Sequence, residues 1–131
     1  VSRIPIVRQE DILHARQAGR DIASEVGFGT VHQTRIATAI SELARNALRY
    51  ADGGECRIST VESENGTEVW LELEDTGPGI ANIELALTPG YSTGGGFGLG
   101  LPAVRNLMDS MAIESHRGRT LVTARMERRR S

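Results

Sequence analysis

The chain has 131 residues, 39% of them hydrophobic and 24% charged, with a formal net charge of −2. That size suits a single domain over residues 1–131 with a core of its own, and the near balance of charge gives no general electrostatic case for nucleic acid. Cys56 is the one cysteine, which excludes an internal disulfide framework and any multi-cysteine metal site. No apolar run approaches the roughly 18 residues of a membrane span. No signal peptide opens the sequence, so we expect a soluble, cytoplasmic protein with no nucleic-acid or membrane partner.

Residues 4–7 are short and apolar, and Pro5 among them predicts an edge strand. Over residues 10–26, Ile12, Ala15, Gly19, Ile22, Ala23 and Val26 recur at helical spacing, with Asp11 near the start and Gly27 just past the end. Thr30 with Gln33 fits a capping box for a second helix reaching to about Tyr50. Its apolar face is Ile36, Ile40, Leu43, Ala44 and Ala47. Arg35, Glu42, Asn46 and Arg49 gather on another side of the same helix. Residues 51–54 form a turn, residues 56–61 alternate as a strand, and Glu64-Asn65-Gly66 is a hairpin signal. Val69, Leu71 and Leu73 then alternate with Trp70, Glu72 and Glu74, which puts Asp75 at the end of a strand.

Residues 82–87 read as a short helical turn and residues 88–97 as a polar, glycine-rich loop. Residues 99–111 predict a helix with Leu101, Val104, Leu107, Met108 and Met111 on one face. Residues 113–116 and 121–127 close the chain as a hairpin around Gly118, with Val122, Ala124 and Met126 on its core side. The basic run Arg128-Arg129-Arg130 reads as a solvated tail. This order implies an α/β (α+β) two-layer sandwich, in which a mixed, mostly antiparallel sheet is covered on one face by helices.

Three constellations could carry chemistry. Asp75, with Gly77 and Gly79 behind it, offers a carboxylate that can accept a hydrogen bond from an exocyclic amine, and the glycines let a flat ring lie close; a plain turn after a strand has the same pattern. Gly94, Gly95, Gly96, Gly98 and Gly100 fall within seven positions that run straight into an apolar helical stretch, an arrangement suited to phosphate. No Gly-Lys-Ser/Thr follows, so it is not a P-loop, and no βαβ unit surrounds it. Glu42 and Asn46, four apart on one helix, pair a carboxylate that can remove a proton with a hard amide oxygen that Mg²⁺ accepts. Arg49 could contact phosphate, and a solvated Glu42–Arg45 or Glu42–Arg49 ion pair is the alternative on that face.

In their order along the chain, Ser41-Glu42-Leu43-Ala44-Arg45-Asn46-Ala47, Asp75-Thr76-Gly77-Pro78-Gly79 and Gly98-Leu99-Gly100-Leu101 resemble the N, G1 and G2 boxes of the GHKL ATPase and kinase superfamily. The stretches 16–20, 27–31, 38–46 and 90–93 and Gly100-Leu101-Pro102 look like its switch-kinase subfamily, the RsbT-type kinases of the stressosome. The resemblance implies a Bergerat ATP-binding fold using ATP and Mg²⁺. Asp75 would bind the adenine amine with help from Gly77, Gly79 and Thr120, Asn46 would hold Mg²⁺, and Glu42 would act as base. Thr93, Gly94, Gly95, Gly96, Phe97, Gly98, Leu99, Gly100 and Leu101 would wrap the phosphates as a lid. It also implies transfer of the γ-phosphoryl group to a serine of a STAS-domain partner, in a partner-switching pathway with an RsbU-type phosphatase or a sigma factor.

Two other functions stay open. An anti-sigma factor of the same fold would bind a sigma factor; that class tends to carry a basic residue where Ser92-Thr93-Gly94 stand here. A non-catalytic module could use ATP only as a latch. A complete histidine kinase is disfavoured, since His14, His32 and His116 are scattered and no long helix hairpin precedes the boxes.

Overall fold

Strand β1 (Ser2–Ile6) lies at the edge of the sheet, where Pro5 faces no ladder partner on its outer side. Helices α1 (Gln9–Glu25) and α2 (Thr30–Tyr50) follow, then strands β2 (Gly54–Ser63) and β3 (Gly66–Asp75), helix α3 (Leu101–Leu107) and strands β4 (Ser110–His116) and β5 (Arg119–Arg129). The computed structural model describes residues 1–77 and 100–129. The expected turn at 82–87, the glycine-rich loop at 88–97 and the site candidates Gly79 and Thr93 through Leu99 lie outside the described residues. The five strands run in the order β1-β2-β3-β5-β4, and every pairing is antiparallel. The helices cover one face, as the sequence pattern implied.

Asp11 opens α1 by turning its carboxylate back to accept the backbone N–H groups of Val7 at 2.8 Å and Arg8 at 2.9 Å. Those two bonds hold its carboxyl below the usual carboxylate range. Gly27, at φ +97, ends α1 in the left-handed region, and Phe28 beyond it is buried. Helix α2 is capped differently from the expected box. Gly29 is the cap residue, Thr30 is already helical, and the Gln33 side-chain amide donates to the Phe28 carbonyl at 2.8 Å. Gly19 lets α1 approach α2 closely, because a Cβ there would run into Ile40 Cδ1.

Between the layers, Ile36, Ile40, Leu43 and Ala44 of α2 and Ile12, Ala15 and Ala23 of α1 meet Cys56, Ile58, Val69, Leu71, Val122, Ala124 and Met126 of the sheet. Each large side chain in this layer contributes about 1.5–3 kcal/mol by leaving water. Burial pushes the Cys56 thiol up to about 12, so it is an inert core group. The opposite face of the sheet is a ladder of charge. Arg57 donates to Glu55 at 2.9 Å and Glu74 at 3.0 Å, Glu74 also accepts from Arg119, and Arg125 reaches Glu68 at 2.8 Å.

The third helix is shorter than the 99–111 read from its apolar spacing. It ends at Leu107, Met108 is extended, and Met111 already belongs to β4 opposite Ala124. The hydrophobic pattern runs on because the helix and the strand after it face the same core.

At the β1–β2 end, Gly53 sits at φ +109 with the Ile6 carbonyl where a Cβ would be. Gly53→Ala is therefore expected to cost about 2–3 kcal/mol, read as a lowered urea midpoint at unchanged slope.

Candidate functional site

The strand register builds one end of the site. Gly54, Asp75, Thr120 and Ser115 are direct neighbours across β2, β3, β5 and β4. Asp75 follows Leu71 and Leu73 on the helix-covered face, and Thr120 precedes Val122 and Ala124 on the same face. The row is thus a polar line at the margin of an apolar surface. Thr120 is only 5% exposed, and its hydroxyl lies 2.9 Å from that of Ser115. Gly54 brings no side chain to the row, and a Cβ there would strike the Glu74 carbonyl. Asp75 Oδ1 accepts the Gly77 N–H at 3.0 Å, which folds the chain back over the strand end. Burial pushes the Asp75 carboxyl above its ordinary range; the Gly77 N–H opposes this and the neighbouring Glu74 charge adds to it.

Helix α2 builds the other end. Its polar stripe meets α3 at Arg35 and Glu42 and is exposed at Arg49. Arg35 donates to the Asn106 carbonyl at 3.0 Å, in the last turn of α3, while Glu42 meets Gly100 at its start. Gly100 caps α3 at φ +73, and a Cβ there would collide with Glu42 Oε2. Glu42 Oε1 takes the Arg45 guanidinium at 2.9 Å, so of the two ion pairs open to the sequence the i,i+3 one forms. The carboxylate is therefore held from one side by Arg45 and abuts bare backbone on the other. Asn46 stands one turn further along α2, partly exposed. Gly100→Ala is expected to destabilise the fold by about 1–2 kcal/mol through the left-handed backbone alone, measured by denaturant unfolding. It also displaces Glu42.

A cleft of about 500 Å³ lies just past the end of β3, lined by Arg49, Asp52, Thr76, Gly77, Arg117 and Gly118. A second, of about 380 Å³, shares Asp52 and Thr76 and reaches Gly54 and Asp75. Of the residues singled out from sequence, Asp75, Gly77 and Thr120 come together, Arg49 lines the adjoining cleft, Glu42 touches Gly100, and Leu101 is buried at the start of α3. Ser115 and Arg117 were not singled out. Their signal was the two-residue turn Arg117-Gly118, with Gly118 at φ +89, which pairs His116 with Arg119 and so sets Ser115 beside Thr120. Among the described residues no group of three or more His, Cys, Asp or Glu could hold a metal, and no helix is long and apolar enough to cross a membrane.

Residues 31–130 match the family model described as histidine kinase-, DNA gyrase B-, and HSP90-like ATPase. The chain is 47% identical over 117 residues to the serine/threonine-protein kinase RsbT of Bacillus subtilis, a likeness covering 89% of this chain and 88% of that protein. It is 31% identical over 90 residues to an anti-sigma F factor of Clostridium kluyveri, covering 66% of this chain and 63% of that one. In fold it is similar to the catalytic domain of the histidine kinase ThkA, with a TM-score of 0.60 at 17% identity over 97% of this chain and 96% of that one.

Proposed function

Because the chain belongs to the histidine kinase-, DNA gyrase B-, and HSP90-like ATPase family, we propose that it is an ATP- and Mg²⁺-dependent protein serine/threonine kinase. Its substrate is a serine of a STAS-domain partner, and it works as a partner-switching regulator of a stress-response pathway that contains a phosphatase of the RsbU type or a sigma factor. The observation that carries this is the 47% identity to RsbT along nearly the whole length of both chains. The geometry supports it: an acceptor row at the strand ends, where Asp75 borders a cleft of about 380 Å³, and a held carboxylate against bare backbone where α2 meets α3.

In this reading Asp75 accepts the exocyclic amine of adenine, and Thr120 completes the contact from the neighbouring strand. Gly77 and Gly79 leave room for the ring, Arg49 meets phosphate, and residues 93–101 close over the phosphates. Glu42 takes the proton of the attacking serine hydroxyl while Arg45 keeps its carboxylate from swinging away. Asn46 is the residue for Mg²⁺. One amide oxygen, with no carboxylate cluster among the described residues, fits an ion that keeps several waters and takes phosphate oxygens for the rest. When bound, that ion neutralises charge on the phosphates. Phosphoryl transfer depends mainly on such positioning and neutralisation, so a site with few catalytic side chains suffices.

The test is to incubate the chain with ATP, Mg²⁺ and STAS-domain proteins recovered with it from its native lysate, then to map phosphosites by mass spectrometry. Phosphate on a partner serine is expected. Recovery of a sigma factor in an ATP-dependent complex, with no transfer, would replace this reading with the anti-sigma one, which the likeness to an anti-sigma F factor favours as second.

A further inference from the structure

Arg35 has no part in the chemistry proposed above, yet it ties α2 to α3. Its guanidinium donates to the Asn106 carbonyl at 3.0 Å. The last carbonyls of a helix lack an intrahelical partner. The Asn106 carbonyl is one of these, since Ser110, four residues on, already belongs to β4. Two turns further along α2, Glu42 meets the other end of α3, where its Oε2 occupies the space that a Cβ on Gly100 would need. Two turns of α2 and the stretch from Gly100 to Asn106 are both about 10 Å long, so the two contacts fall at opposite ends of an antiparallel pair. Helix α3 has only seven residues and reaches the core through Leu101, Val104 and Leu107. A helix so short does not hold its shape alone, so its contacts decide where it lies.

On the reading that Glu42 is the general base, we infer that Arg35 is a positioning residue for phosphoryl transfer: by holding the last turn of α3 it keeps Gly100 against Glu42 and so aims the carboxylate that takes the serine proton. The Arg45 pair cannot do this alone. It lies within α2 and is partly open to water, so it fixes Glu42 against its own helix and not against α3. The Gly100 backbone supplies that second restraint, because it stands where the other carboxylate oxygen would otherwise swing. Val104, fully buried at the middle of α3, is the pivot. With the Asn106 end released, α3 tilts about Val104, Gly100 draws back and Glu42 gains rotamers that do not face the hydroxyl. A base misplaced in this way loses rate, while Asp75 and Thr120, on the sheet, keep their places.

The experiment compares Arg35→Met, which keeps an apolar stem and loses the donor, with Arg35→Lys, which keeps a donor. Two properties are read: amide hydrogen exchange of the nucleotide-free chain, and phosphoryl transfer from ATP and Mg²⁺ to the STAS-domain partner. The Val104 and Met108 amides donate to the Gly100 and Val104 carbonyls at 3.2 and 3.0 Å. In Arg35→Met they are expected to exchange about 5–10-fold faster. Transfer at saturating ATP is expected to fall about 3–10-fold, with affinity for a fluorescent ATP analogue within about twofold. Arg35→Lys should recover most of both losses. In a Glu42→Gln chain, Arg35→Met should cost no further transfer, because no base is left to aim. Unchanged exchange, or faster exchange with normal transfer, overturns the inference. So does an equal loss in the Glu42→Gln chain, or a fall in ATP affinity large enough to account for the lost transfer. Normal transfer by Glu42→Gln with Arg35 intact would instead overturn the base assignment on which the inference rests.

Discussion

Glu42→Gln is expected to lower the rate of phosphoryl transfer by about 10²–10⁴-fold, the range a positioned general base supplies, while nucleotide affinity stays within about twofold. Glutamine keeps the length and volume that fit against Gly100, so the start of α3 should not move. What it loses is the ability to take a proton and the charge that holds Arg45 at 2.9 Å. That pair is partly exposed, with about half of the Arg45 side chain open to water, so its loss should cost the fold only a few tenths of a kcal/mol. Transfer and binding are therefore separable: initial rates with labelled ATP report one, titration of a fluorescent analogue reports the other. Transfer at the normal rate would remove Glu42 as the base and leave the latch module, which needs no base, as the better account. Loss of binding together with transfer would make Glu42 a structural support for the Gly100 backbone.

How far the sequence carried depends on which interactions decide each feature. Helix α2 was legible along its length because its apolar spacing, unbroken from Ile36 to Ala47, makes one face bury and another stay polar. Asp75 was legible for a similar reason, since strict alternation through Leu71 and Leu73 fixes both its face and its place at the strand end. The partners of the polar stripe were not. Whether Glu42 takes Arg45 or Arg49 is a choice between rotamers that cost nearly the same, and Arg35 finds a carbonyl 71 residues away on α3. The boundary of α3 was missed because Met108 and Met111 face one core from two kinds of element. Ser115 was missed because the hairpin was read around Gly118 without its two-residue turn, which pairs His116 with Arg119 and so sets Ser115 opposite Thr120.

Asp75→Asn is expected to weaken ATP binding by about 10–100-fold and, at the same time, to raise the melting temperature of the nucleotide-free chain at neutral pH. The first effect follows from replacing an ionised acceptor, worth about 1.5–3 kcal/mol to a hydrogen bond, with an amide. The amide oxygen remains with the Gly77 N–H that Asp75 Oδ1 now accepts at 3.0 Å, which turns the NH₂ toward the adenine amine, donor against donor. The second effect follows from burial, which pushes the Asp75 carboxyl above its ordinary range. The folded chain then keeps this proton at pH values where the unfolded chain has lost it. The resulting stability is full below the ordinary carboxylate range, fades as pH rises through the raised folded value, and leaves the ionised group a net cost at neutral pH. Asparagine, neutral throughout, removes that cost, so the gain in melting temperature should be present at pH 7 and shrink toward pH 4. A site shaped for a ligand is expected to trade in this direction, since the charge that destabilises the empty protein is the one the base requires. Unchanged affinity would take Asp75 out of the adenine site, and a lowered melting temperature at pH 7 would mark it as a structural residue of the strand end.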